Sequence, residues 1–127
     1  MEQQGIENEI RDKAKEWIAE YGENFLVELI GEYVADSTAR VAHLRQAAAA
    51  GDAETLSLEA HTLKSSSASL GAQSLSALAK RLEDMGRAGD LAALQDEVDR
   101  FVEHFAVVKA SLEKLRHAPS EFLARER

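Results

Sequence analysis

The stretch Ala60-His61-Thr62-Leu63-Lys64-Ser65-Ser66-Ser67-Ala68-Ser69-Leu70-Gly71-Ala72 decides how this chain is read. With Leu56 just upstream, it places leucines at 56, 63 and 70. A helix turns about 100° per residue, so a seven-residue step drifts by only ~20° and the three leucines form one buried stripe. On the same wheel His61 lies roughly 140° from Leu56 and points away from the core. Leu58, Ser65 and Ala68 share its side, and Lys64 flanks them. The helix is therefore expected to show solvent one imidazole, ringed by small side chains, with one ammonium within a turn.

The neighbouring sequence punctuates into further helices. Ala50-Gly51-Asp52 stops one helix and starts the next, since Gly suits the left-handed C′ position and Asp52 can cap. The histidine helix is thus read as residues 53–70, with Gly71 ending it. Upstream, Phe25, Leu26, Leu29, Ile30, Tyr33, Val34, Val41 and Leu44 keep helical spacing and predict a long helix over about 24–49. Gly31 is the weak point within it. Downstream, Leu75, Leu78, Leu82 and Met85 predict a helix over about 74–87. Gly89-Asp90 repeats the stop-and-cap pair. The last helix is expected from near Leu91 and carries Leu94, Val98, Phe101, Phe105, Val108, Leu112 and Leu115, with Pro119 as its limit. Residues 119–127 read as a frayed or loosely docked C-terminal tail.

Ile6, Ile10, Ala14, Trp17 and Ile18 form a further stripe over residues 4–20, broken at Tyr21-Gly22-Glu23-Asn24. Four helices on very short turns must run antiparallel to their neighbours. The fold class is all-α: an antiparallel up-down-up-down four-helix bundle over residues 22–118. An additional N-terminal amphipathic helix, residues 1–21, packs on it. The stripe with Trp17 could serve dimerisation or recruitment, but capping an open end of the bundle is favoured, and a monomer is expected.

Composition excludes several classes. The 127 residues suit one domain, and 45% apolar with 30% charged residues is a globular mixture. A net charge of −8 argues against a nucleic-acid or anionic-membrane binder, which needs clustered Lys and Arg. With no cysteine there is no disulfide, thiolate metal site or thiol catalysis. No apolar run approaches a membrane span, and the N-terminus lacks the pattern of a signal peptide, so the expected location is cytoplasmic.

The run His-x-Leu-Lys, then small residues, then Leu-Gly-Ala over residues 60–72 resembles the signature of histidine-containing phosphotransfer (HPt) domains. More weakly, the helix order over about residues 22–116 is also similar to that family. The resemblance implies a phosphorelay intermediate in two-component signal transduction. His61 would be the phosphoacceptor, through Nε2, and Lys64 would stabilise the phosphoryl group. Leu58, Ser65 and Ala68 would lie in the docking surface for a partner. Where the family usually has glycine after the lysine, this chain has Ser65. The implied partners are response-regulator receiver domains and a hybrid sensor kinase. No cofactor is implied for this chain, and Mg²⁺ is expected in the partner receiver domain. The sequence also lacks a P-loop-type phosphate loop, so a phosphocarrier without autokinase activity is expected.

The rival readings are weaker. A non-catalytic helical adaptor would need only the surface. A di-iron bundle needs Glu-x-x-His pairs, but the residues three before the four histidines are Arg40, Leu58, Phe101 and Lys114. No metal site is expected. His43, His104 and His117 read as surface or boundary residues. Glu83-Asp84 and Asp96-Glu97-Val98-Asp99 read as a solvated acidic face.

Overall fold

The computed structural model describes residues 2–125. Six helices follow one another: α1 (Glu2–Tyr21), α2 (Glu23–Ala50), α3 (Ala53–Ser69), α4 (Gln73–Ala88), α5 (Leu94–His117) and α6 (Pro119–Ala124). There is no strand among the described residues. Helix α2 packs against α3 and α5, and α4 packs against α3 and α5, so α2 to α5 close into an up-down-up-down bundle. Its centre is filled by Leu26, Ile30, Leu44, Leu56, Leu63, Leu75, Leu82, Phe101, Val108 and Leu112, each at most 1% exposed. The leucine stripe of α3 is the one the seven-residue spacing predicts.

The turns follow from local chemistry. Gly51 adopts φ +69° and closes α2, and the Asp52 carboxylate accepts from the backbone N–H of Thr55 at 3.1 Å to open α3. Gly89 closes α4 in the same left-handed way. There the repeat ends, because α5 starts at Leu94 and not near Leu91. Asp90 accepts from the N–H of Ala92 in a tight turn instead of capping the helix, and Leu91 is left exposed. Gly31 does not interrupt α2. A Cβ there would lie 3.0 Å from an Arg116 guanidinium nitrogen, so the glycine admits a side chain from α5.

Helix α1 lies over the end of the bundle where α3 turns into α4. Its Ile6, Ile10 and Ala14 are buried. The Trp17 indole N–H donates to the Ser69 carbonyl at 2.8 Å, and the Glu9 carboxylate accepts from both the N–H and the hydroxyl of Ser74 at the start of α4. Gly71 sits beneath it with φ +83°, and a Cβ there would meet the Lys13 Cβ at 2.5 Å. Residues 119–124 are not the frayed or loosely docked tail expected from the sequence but form a helix anchored in the core. Pro119 opens α6, Phe122 is 1% exposed, and its carbonyl accepts from the Arg11 Nε at 3.2 Å while the guanidinium stacks 5.1 Å from the ring. Residues 126–127 of the expected tail lie outside the described residues. Phe25, whose spacing fits the apolar pattern of α2, is 43% exposed and packs against Trp17 and Tyr21 on the surface.

Candidate functional site: a half-exposed imidazole held by a buried carboxylate

His61 projects from the middle of α3 with 55% of its side chain exposed. Its Nδ1 lies 2.8 Å from Oε2 of Glu83 on α4. The second oxygen of the same carboxylate, Oε1, accepts from the Lys64 ammonium at 2.8 Å. Arg87, one turn beyond Glu83, brings a guanidinium nitrogen to 2.7 Å from Oε2. One carboxylate therefore ties together three nitrogen groups from two helices.

The Glu83 side chain is only 2% exposed, so burial alone would favour its neutral form. The hydrogen bond from Lys64 outweighs that burial. With the bond from His61 and the charge of Arg87 it pulls the carboxyl down to about 2. Glu83 is thus an anion at neutral pH and can only accept. Nδ1 of His61 then donates to it, and in the neutral ring, whose one proton sits on Nδ1, the Nε2 lone pair is left free. Among the described residues none hydrogen-bonds Nε2. A half-exposed neutral imidazole with a carboxylate behind Nδ1 has the chemistry to act as a nucleophile through Nε2 toward an electrophile brought from outside.

The sequence pattern Glu83-Asp84 predicts a solvated acidic face, and the structure corrects this for Glu83. Its neighbour Asp84 is exposed and pairs with Lys80 at 3.3 Å, as that reading expects, but Glu83 turns inward. A signal was present. Leu75, Ala79, Leu82 and Gly86 are the buried stripe of α4, and Glu83 falls beside Leu82 within it. An acidic residue at a core-facing position needs a partner, and Arg87 four residues on is one. Arg87 is likewise a residue of the cluster that lies outside the histidine motif.

The other expected site residues are on the same helix. Leu58 is 64% exposed, Ser65 is exposed and Ala68 is half-buried. Lys64 is half-buried, and its carbonyl accepts from the Ser76 hydroxyl of α4 at 2.9 Å. Its ammonium is engaged by Glu83 and does not stand free in solvent. Beside α3, on its α2 side, a groove of about 480 Å³ is lined by Trp17, Leu29, Tyr33, Ser66, Ser69 and Leu70, with Glu32 and Asp36 also along it. Its floor is fixed by the Tyr33 hydroxyl, 2.8 Å from that of Ser67. His43 and Arg40 pair with Glu59 at 3.6 and 3.1 Å, and His104 pairs with Glu2 at 3.0 Å. None of these joins the His61 cluster. No group of three or more His, Asp or Glu residues suited to a metal ion occurs among the described residues.

Comparison with known proteins agrees with this geometry. Residues 28–118 match the Hpt domain family. A crystal structure of histidine-containing phosphotransfer protein B (HptB) from Pseudomonas aeruginosa PAO1 superposes with a TM-score of 0.78 at 28% identity. The match covers 84% of this chain and 91% of that one. No curated protein sequence matches the chain. The chain belongs to the Hpt domain family, and its role is histidine phosphotransfer in a phosphorelay. No described helix is long and apolar enough to cross a membrane.

Proposed function

We propose that His61 is the phosphoacceptor of this domain and that it exchanges a phosphoryl group with the aspartyl phosphate of a response-regulator receiver domain. The observation that carries the proposal is the contact between His61 Nδ1 and the buried Glu83 carboxylate. The Nε2 lone pair attacks phosphorus as the bond from phosphorus to the aspartyl oxygen breaks. The leaving group departs as a carboxylate, so no proton needs to move. The ring keeps its Nδ1 proton and acquires positive charge, which Glu83 sits 2.8 Å away to neutralise. In the reverse direction a receiver carboxylate attacks phosphorus, and the ring leaves as neutral imidazole with its proton still on Nδ1.

Lys64 and Arg87 supply the cations for the phosphoryl oxygens. Both already contact the carboxylate that holds the ring, and the Arg87 side chain is 65% exposed against 30% for Lys64, so it has more freedom to swing. Positioning and charge compensation are most of what such a transfer asks of the protein. Docking is assigned to the surface around Leu58, Ser65 and Ala68 and to the adjoining groove. Magnesium belongs to the receiver. A hybrid sensor kinase would supply the donor receiver, in the cytoplasm, and the chain acts as a monomeric carrier with no autokinase step.

The test is to mix the protein with a phosphorylated receiver and Mg²⁺ and to follow acid-labile, base-stable label on this chain. Wild type should be labelled and His61→Gln should not. Label that persists in folded His61→Gln removes the assignment, and no label on wild type with receiver still bound favours a non-catalytic adaptor.

A further inference from the structure

Gly86 lies in the interior of α4, and its backbone does not have the positive φ that would call for glycine. Glycine is the poorest helix former after proline, so its place there has another reason. That reason is space. A Cβ on Gly86 would lie 2.9 Å from Ser57 Cβ, 3.0 Å from the Ala53 carbonyl oxygen and 3.2 Å from a Leu56 methyl, all on α3. The nearest two obstacles are a Cβ and a backbone atom, which yield only if a helix moves.

Gly86 is also one turn from Glu83 on the same face of α4, and Ser57 is one turn before His61 on α3. The contact of Gly86 with Ser57 is the rung next to the contact of Glu83 with His61. The Glu83 carboxylate has no slack with which to follow a displaced helix. Oε2 is held by His61 at 2.8 Å and Arg87 at 2.7 Å, Oε1 by Lys64 at 2.8 Å, and the side chain is buried.

We propose that Gly86 is a positioning residue for His61: its missing side chain lets α4 approach α3 closely enough for Glu83 to hold the imidazole by Nδ1. It touches neither the ring nor the phosphoryl group and acts only through Glu83. Its effect on transfer rests on the phosphocarrier reading, whereas its effect on the ring does not.

The experiment is Gly86→Ala in the full chain. The His61 tautomer is read by ¹⁵N–¹H correlation of the ring, transfer by label from a phosphorylated receiver, and helix content by circular dichroism. Elsewhere in an exposed helix this substitution stabilises. Here helix content should be kept, the Nδ1–H form should lose its dominance, and transfer should slow about tenfold, as expected for a weakened charge-assisted hydrogen bond. In a Glu83→Gln background the same change should slow transfer no further. An unchanged tautomer, or equal slowing in both backgrounds, overturns the proposal. Should wild type take no label, the carrier reading fails while the ring spectrum still decides the role of Gly86. If Gly86→Ala does not fold, Ser57→Gly is added to remove the nearest obstacle. The pair should fold with a disturbed ring, because the Ala53 carbonyl remains. An undisturbed ring, or failure of both variants to fold, overturns the proposal, which requires the seam to yield by tenths of an ångström and not to break.

Discussion

Replacing Glu83 by Gln keeps the shape of the side chain and removes its charge. In the wild type the anion accepts from His61 Nδ1 at 2.8 Å and fixes the proton there. An amide can instead present its NH₂ group to Nδ1, which would drive the proton to Nε2 and block attack. Even with its oxygen toward the ring, the amide gives a neutral bond where a charged one stood. Such bonds differ by about 1–2 kcal/mol. The two cations at 2.7 and 2.8 Å already screen part of the carboxylate charge, so the lower half of that range applies. About 1–1.4 kcal/mol in the barrier corresponds to roughly five- to tenfold slower transfer. The assay is single-turnover transfer from a phosphorylated receiver, with binding measured separately. An unchanged rate in folded Glu83→Gln would refute the orienting role. A faster rate would show that Lys64 and Arg87, once released, limit the step by their supply of positive charge and that ring orientation does not.

Lys64→Ala should slow transfer about tenfold while leaving the bundle folded, because the ammonium is half-buried at the surface; an unchanged rate by the same assay removes Lys64 from the mechanism. Ser65→Leu places a branched side chain on the exposed face beside His61 and should weaken receiver affinity by about tenfold, measured by titration calorimetry; unaffected affinity would put docking elsewhere. The carboxyl of Glu83 is lowered from its ordinary 4.5 to about 2, so its stabilisation is complete above about pH 4.5 and is lost as pH falls toward 2. Urea melts should show the stability difference between wild type and Glu83→Gln shrinking by up to about 3 kcal/mol over that interval; a gap constant with pH would mean that Glu83 is not held as an anion by its neighbours.

The exposed side of α3 was legible because one periodicity governs it: leucines at 56, 63 and 70 fix the buried stripe, and His61 and Leu58 follow on the other side. The turn at Gly51-Asp52 was legible for the same reason, since its chemistry is local. What spacing on one helix does not give is the register between two helices. That register brings Glu83 to His61 across 22 positions of sequence. Next to Asp84, Glu83 reads as surface charge unless its place in the stripe of Ala79, Leu82 and Gly86 is weighed first. The C-terminal segment misled in a similar way. Pro119 does limit α5, but it also stands at the first turn of α6, where its fixed φ favours a new helix. The apolar Phe122 then needs burial, and buried Arg11 of α1 supplies a cation over its ring. Phe25 failed for the opposite reason: its helical spacing is right, but at the start of α2 it meets Trp17 and Tyr21 at the surface in place of the core.

The most direct measurement is ³¹P–¹⁵N correlation on the labelled protein after reaction with a phosphorylated receiver. Phosphorus should couple to Nε2 of His61, with the proton still on Nδ1. Coupling to Nδ1, or phosphate on any other residue, would contradict the account.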